Sequence, residues 1–132
     1  RVRHVSIPAA NFPVVKIAEK DNLPEWVAKF QRLLDGCGLD VPPNTKLRAI
    51  IDLDDYVGAY PALKTSGGEG AKISVGFLEG LFEKAGPWEK GNRDEIEGKC
   101  MRAMWTDQPA LHDTFIVGKQ TTEFGSLWWN AV

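Results

Sequence analysis

The sequence predicts an α+β fold that is rich in helix, with about four helices in one compact domain and short extended or β segments at the two ends. Apolar residues recur at three- and four-residue steps through much of residues 21–107, which is the spacing of one helix face. Residues 1–20 and 108–132 contain prolines, aromatic residues and β-branched residues, which favour extended chain. The predicted organisation is a single domain over residues 1–132 with a helical core at residues 21–107.

Length and composition indicate an ordinary globular protein. The chain has 132 residues, of which 43% are hydrophobic and 26% charged, and its net charge is −2. A chain of this length can enclose a core without metals or disulfides. The acidic balance disfavours non-specific nucleic-acid binding, and no apolar stretch is long enough to span a bilayer. We therefore expect a soluble protein, with the cytoplasm slightly favoured over secretion. Since the chain starts at Arg1 rather than Met, removal of a leader stays open.

The N-terminal segment, residues 1–20, is predicted to form two short strands or an arm across the domain. Val2, Ile7, Val15 and Ile17 are β-branched, a residue type that favours strands. The prolines of this segment block a helix and suit edge positions of a sheet. An extended arm or an edge strand is therefore expected here.

The first helix, predicted at residues 22–38, has the most complete set of signals. Asn22 can cap the first turn and Glu25 completes a capping box. Pro24 removes no helical hydrogen bond in the first turn, and Gly36 supplies a left-handed stop. Its apolar stripe is predicted to dock against the domain or a partner, and it comprises Trp26, Val27, Phe30, Leu33, Leu34 and Cys37.

Three more helices are predicted downstream. The second covers residues 46–60, although its stretch RAIIDLD is also compatible with a strand. The third covers residues 71–86. The fourth covers residues 93–105 and is preceded by Asn92, which with Glu95 repeats the capping-box spacing. Beyond Pro109 the chain is predicted to be extended again, and the two ends are expected either to pair in a small sheet or to reach neighbouring subunits.

The two cysteines, Cys37 and Cys100, lie on the apolar sides of predicted helices. They form no CxxC motif, and no histidine follows at the spacing of a zinc site. Two buried free thiols are the favoured interpretation. A disulfide or a reactive thiol is the alternative, so the redox compartment stays open.

No motif in the chain predicts catalysis or a cofactor. Asp52, Asp54 and Asp55 are weak candidates for a metal site, because alternate carboxylates of an extended segment share a face. Solvated or capping carboxylates are the favoured alternative. The adjacent His112 and Asp113 lack the nucleophile and spacing of a catalytic set. The glycine-rich residues 66–70 resemble an anion loop only superficially, because no GKS or GKT follows them.

The tryptophan content is high for this length, with five residues, two of them adjacent at Trp128 and Trp129. Adjacent residues in a strand face opposite sides, so only one of the two can join a core on one side. Exposed aromatic residues are typical of interface anchors. The candidate interaction anchors are Trp128, Trp129, Phe124 and Trp88.

The sequence favours a non-enzymatic interaction or assembly module, such as a coat or scaffold subunit, an effector or an inhibitor-type protein. A protein partner or self-association is expected, with no cofactor. One alternative is a small-ligand-binding protein or metal-dependent enzyme with a site between helices. Another is a carbohydrate- or lipid-binding domain that uses exposed tryptophans.

Overall fold

Short antiparallel strands dominate the architecture. A computed structural model describes residues 1–8, 15–83, 90–101, 111–125 and 130–131. In this part of the chain there are ten strands, one α-helix and one 3-10 helix. The elements are β1 (Val2–Ser6), β2 (Val15–Lys16), the 3-10 helix (Glu19–Asp21), α1 (Pro24–Leu34), β3 (Arg48–Ile51), β4 (Gly58–Ala59), β5 (Ala62–Thr65), β6 (Lys72–Phe77), β7 (Cys100–Met101), β8 (Leu111–Ile116), β9 (Thr122–Gly125) and β10 (Asn130–Ala131). The prediction of a helix-rich fold with about four helices is therefore wrong.

Every strand pairs with a partner that is distant in the sequence. β1 pairs with β3, β2 with β7, β4 with β10, β5 with β9 and β6 with β8, all antiparallel. The ends of the chain therefore pair with internal segments, and the expected sheet between the two ends is not formed by β1 or β10. Residues 58–77 and 111–131 supply three of these ladders in succession.

We call the strands β5, β6, β8 and β9 the ribbon. The β6–β8 ladder is extended by hydrogen bonds from the Gly70 nitrogen to the Val117 carbonyl (2.8 Å) and from the Val117 nitrogen to the Ala71 carbonyl (2.9 Å). Between the ladders one segment has six residues (66–71) and the other has five (117–121). Gly70 and Ala71 both bond to Val117, which is the pattern of a bulge, and turns beyond it separate the two ladders.

A helix is present at the first predicted position, but its N-terminus differs from the prediction. The residue before α1 is Leu23, and no side chain caps the first turn. The Asn22 side chain instead accepts a hydrogen bond from the Val5 nitrogen (3.0 Å), and Glu25 pairs with Lys29 (2.5 Å). At the other end Gly36 has φ +91°, the left-handed stop that the sequence predicts.

The three other predicted helices are replaced by strands and turns. Residues 46–60 contain β3 and β4, so the strand alternative for RAIIDLD agrees with the structure. Residues 71–86 contain β6, whose side chains alternate between more and less exposed positions. Residues 93–101 form turns followed by β7. The last residues of the third and fourth predicted helices, 84–86 and 102–105, lie outside the described residues.

The buried apolar residues come from segments that are far apart in the sequence. Among the described residues this core comprises Val2, Val5, Ile17, Phe82, Ile96, Cys100 and Val117. Phe82 is 2% exposed and exchanges two backbone hydrogen bonds with Cys100 (2.7 and 3.1 Å). α1 packs beside β1, and the Gln31 side chain accepts from the Val2 nitrogen (2.9 Å).

The apolar stripe of α1 contributes less to this core than the sequence predicts. No residue of α1 is buried, Leu34 is 45% exposed, and Phe30 is only half-buried. Both cysteines are free, but only Cys100 is buried, because Cys37 lies beyond the end of the helix and is exposed. The expectation of two buried thiols is thus wrong for Cys37.

We predict that truncation of Phe82 destabilises the fold far more than truncation of Phe30. Phe82→Ala removes a fully buried ring and should cost about 3–5 kcal/mol, whereas Phe30→Ala should cost about 1–2 kcal/mol because the ring is half-exposed. Urea unfolding followed by tryptophan fluorescence measures both. Equal losses, or a larger loss for Phe30→Ala, would contradict the core described above.

The two thiols should differ in reactivity. In the native protein a disulfide reagent should modify Cys37 quickly and Cys100 only after denaturation, since access controls thiol exchange. A colorimetric thiol count before and after adding denaturant tests this, with Cys37→Ser as the control that removes the fast phase. Two fast thiols in the native state would place Cys100 outside the core.

Candidate functional site

Three arginines surround the carboxylate of Asp52, which follows β3. Because β3 pairs with β1, Arg3 lies close enough for its Nη1 to donate to Asp52 Oδ2 (3.0 Å). Arg93 Nη2 donates to Asp52 Oδ1 (2.8 Å), and Arg1 Nη2 lies 3.6 Å from Oδ2. These bonds link β1, the end of β3 and the turn at residues 93–94.

Two further aspartates complete what we call the arginine–aspartate cluster: Arg1, Arg3, Arg93, Asp52, Asp54 and Asp94. Arg1 lies 3.3 Å from Asp54 and 3.4 Å from Asp94, and Arg3 Nη2 donates to the Asp94 carbonyl (2.6 Å). Three guanidinium groups thus face three carboxylates. A wide depression beside them is lined by Arg1, Val2, Arg3 and Asp94. The side-chain charges of the cluster cancel, and its ion pairs hold together segments that are distant in the sequence.

The arginine–aspartate cluster depresses the pKa of Asp52. Partial burial by itself would raise this pKa, but hydrogen bonds from Arg93, from the Asp54 nitrogen and from Arg3 outweigh it and hold the pKa well below its usual range. Asp52 and Arg3 are 13% and 14% exposed, whereas Arg93 is 60% exposed. The bond between Asp52 and Arg3 is therefore the one that solvent screens least.

The weak metal candidates have other partners in the structure. Both oxygens of Asp52 accept from arginines, and Oδ1 also accepts from the Asp54 nitrogen (2.9 Å). Asp55 accepts from the nitrogen of Tyr56 (2.8 Å). Within the described ranges no group of three or more histidine, cysteine or acidic side chains is placed to hold a metal. The carboxylates act here as hydrogen-bond acceptors for the protein itself.

A second candidate site is one face of the ribbon. Leu63 lies opposite Phe124, and Ile73 lies opposite Phe115. The rings of Phe115 and Phe124 stack across the bulge, with centroids 4.8 Å apart and an interplanar angle of 29°. We call this surface the apolar ribbon face, and its residues are Leu63, Ile73, Val75, Phe77, Phe115 and Phe124. All six are partly exposed.

The opposite face of the ribbon is polar and solvated. Ser74 and Thr114 lie opposite one another, with their hydroxyl oxygens 3.0 Å apart. Lys64 lies opposite Glu123, an opposite-charge pair that favours this register. Ile116 is the large apolar residue on this side, at 55% exposed. The ribbon is therefore amphipathic, with one face suited to water and one suited to burial.

The structure locates one of the four predicted interaction anchors. Phe124 lies on β9 within the apolar ribbon face. Trp88, Trp128 and Trp129 lie outside the described residues, so their roles stay predictions. Phe124 therefore joins Phe115, Ile73 and Leu63 in a surface that the sequence did not reveal as a unit.

The remaining sequence features have structural settings of their own. His112 and Asp113 are successive residues of β8, so their side chains point to opposite faces of the ribbon. Residues 66–70 form a turn in which Gly67, Gly68 and Gly70 have positive φ. This turn leads into β6 instead of a helix, so it lacks the helix N-terminus that an anion loop requires.

Some residues of these sites were missed at the sequence level. Arg1, Arg3 and Arg93 were not connected with Asp52, because only the pairing of β1 with β3 and the position of the turn at residues 93–94 bring them together. The alternation KISVGF in β6 marks an amphipathic strand, whereas LHDTFI in β8 alternates less cleanly because Asp113 shares a face with Phe115. That period-two pattern was the available signal for the ribbon.

Comparison with known proteins finds no family model that matches the chain, and no curated protein or solved structure with significant similarity to it. The single α-helix of the described chain is too short and too polar to cross a bilayer. Functional inference thus depends on the two surfaces described above.

We predict that the arginine–aspartate cluster makes the fold sensitive to acid. The folded pKa of Asp52 is depressed, so its stabilising effect is complete above the unfolded value of ~3.9 and is lost as pH falls below it. Asp52→Asn should cost about 1–3 kcal/mol at pH 7. The difference in unfolding free energy between wild type and Asp52→Asn should shrink between about pH 5 and pH 2.

Chemical denaturation at a series of pH values measures this difference. Asp40→Asn is the matched control, since Asp40 is exposed and forms no ion pair with the residues that the structure describes. The assigned role of Asp52 would be contradicted if the difference in unfolding free energy stayed constant with pH. An equal loss of stability in Asp40→Asn would also contradict it.

Proposed function

We propose that this protein is a non-enzymatic assembly module that associates with a second copy of itself through the apolar ribbon face. The observation that supports this proposal is the partly exposed row of apolar side chains on a ribbon only two strands wide: Leu63, Ile73, Val75, Phe77, Phe115 and Phe124. No other described element contacts the ribbon as extensively as its own paired strands do.

An isolated two-stranded ribbon is marginally stable in water, because it buries too little apolar surface. Here the ribbon consists of two short two-stranded ladders, and the stack of Phe115 on Phe124 is the ring contact between them. A layer placed on the apolar ribbon face would remove the remaining surface from water at about 25 cal/mol per Å². Association therefore supplies the burial that this ribbon otherwise lacks.

A second copy suits this surface because the surface is self-complementary. The six residues of the apolar ribbon face are uncharged, and the one charged residue in register with them is Asp113, which lies opposite Val75. Apolar contact, not charge pairing, would therefore carry the association. In a two-fold contact each copy presents the same apolar row to the other. Two ribbons of ten residue pairs, ~34 Å long and ~10 Å wide, cover about 340 Å² of plan area per copy. A contact area of this size lies at the low end for protein interfaces, so the expected dimer is weak and reversible.

The other functional hypotheses have less support among the described residues. Carbohydrate or lipid binding depends on Trp128 and Trp129, which the structure does not describe. A metal-dependent enzyme would use Asp52, whose oxygens are engaged by Arg3 and Arg93. Assembly through the ribbon also agrees with the expected role of Phe124 as an interaction anchor.

We predict that Ile73→Thr disrupts self-association and that Ile116→Thr does not. The two substitutions are chemically identical and lie in the same ladder, but Ile73 is on the apolar ribbon face and Ile116 is on the polar face. Threonine keeps a high preference for strands. Since a two-fold dimer contains each change twice, Ile73→Thr should weaken the dimer roughly tenfold or more.

Sedimentation equilibrium over a range of protein concentrations is the measurement, with thermal melts to verify folding. Wild type and Ile116→Thr should shift with concentration from 14.6 kDa towards twice that mass. A wild-type protein that stays at 14.6 kDa up to millimolar concentration would overturn the proposal. Equal dissociation constants for both variants would show that a different surface mediates the association.

A further inference from the structure

A small cavity lies between the β1–β3 sheet and the segment that follows β2. Its volume is ≈ 80 Å³, and its lining includes His4, Ser6, Lys16, Asp21 and Arg48. One water molecule needs only ~10–15 Å³ of such space, so the cavity has room for several waters or one small polyatomic ion. We call it the β1–β3 cavity.

The strand register explains why these side chains meet. Ser6 lies opposite Arg48 and His4 lies opposite Ile50 in the antiparallel pairing of β1 with β3. Directly opposed residues of an antiparallel pair point to the same face of the sheet. Ile17 and Ala18 close the cavity from the other side, where His4 Nε2 donates to the Ala18 carbonyl (3.2 Å).

Two polar groups of the β1–β3 cavity have no partner among the described residues. Ser6 is 4% exposed, and its hydroxyl forms no hydrogen bond with the residues that the structure describes. Arg48 is partly buried and has no ion pair or side-chain hydrogen bond within the same ranges. Burial without a counter-charge lowers the pKa of Arg48. A buried hydroxyl is normally hydrogen-bonded, so the position of Ser6 beside the Arg48 guanidinium indicates that the two groups can share an acceptor.

The charges around the cavity indicate the chemistry of that acceptor. Arg48 and Lys16 supply two positive charges, Asp21 supplies one negative charge, and Ser6 supplies a hydroxyl donor. A guanidinium group binds oxyanions through paired N–H donors, and a buried hydroxyl adds a directed bond. A cation is disfavoured by the same two positive side chains.

We propose that the β1–β3 cavity binds a small tetrahedral oxyanion of the phosphate class, held by Arg48 and Ser6 with Lys16 at its rim. The ion is either free phosphate or the phosphoryl group of a small ester. This site is separate from the ribbon, and none of its residues belongs to the apolar ribbon face. Anion binding and self-association can therefore fail independently.

Isothermal titration of the full chain with inorganic phosphate, at constant ionic strength against sodium chloride, tests the proposal. Parallel titrations with glycerol phosphate and with acetate distinguish the free ion, an ester and a carboxylate. Wild type should bind phosphate or its ester saturably and should bind acetate more weakly.

Arg48→Met should weaken phosphate binding about tenfold or more, and Ser6→Ala should weaken it several-fold. Lys46→Met removes the same charge from an exposed neighbour and should leave binding unchanged.

Amide chemical shifts of the wild-type protein provide a second readout that does not depend on a variant folding. Phosphate should move signals from residues 4–7, 16–21 and 47–50 in one saturable step. Shifts centred on the arginine–aspartate cluster, a linear response identical to that of chloride, or wild-type affinity in a folded Arg48→Met would each overturn the assignment.

Discussion

The antiparallel pairing of residues 58–77 with residues 111–131 connects parts of the chain that lie about fifty residues apart. Three ladders form in succession along these two segments, and the bulge between β5 and β6 keeps the apolar residues of both halves on one side. The six residues of the apolar ribbon face are all partly exposed. Because the described strands form only two-stranded sheets, few side chains are buried between them and the core is small. Ion pairs such as Arg3 with Asp52 connect the other strands.

The sequence predicted local features better than long-range ones. Pro24 and Gly36 mark the two ends of α1, as expected from their chemistry. Asn92 and Glu95 do interact through their side chains (3.2 Å), and the Asp94 nitrogen donates to Asn92 Oδ1 (3.0 Å), but this is a turn with no helix after it. From the end of β6 onward, Phe77, Leu78, Leu81 and Phe82 have helical spacing, which obscures the strand alternation that precedes them. The helical spacing and the strand alternation overlap in this segment, and the sequence alone does not show which one the chain adopts. Pairing with β8 favours the strand.

The candidate sites were still less accessible from sequence, because their residues meet only through strand register. The sequence predicts Phe124 as an anchor, but it places Ile73 in a helix and Phe115 in an extended segment, and so does not group them. The sequence makes Asp52 a metal candidate because alternate carboxylates share a face, and it does not show that Arg3 and Arg93, 49 and 41 residues away, bind this carboxylate instead. The pairing of Ser6 with Arg48 is likewise invisible until β1 and β3 are aligned. A pattern in one segment cannot reveal which distant segment completes its chemistry.

Cross-strand nuclear Overhauser effects in the amide and Hα regions test the ribbon most directly. Opposed Hα atoms of non-hydrogen-bonded antiparallel pairs are close because their Cα atoms lie ~4.5 Å apart. The structure predicts contacts between residues 62–65 and 122–125 and between residues 72–77 and 111–116, in the registers that place Leu63 opposite Phe124 and Ile73 opposite Phe115. Helical contacts between residues three apart throughout residues 71–83, with no contacts between the two segments, would contradict the account.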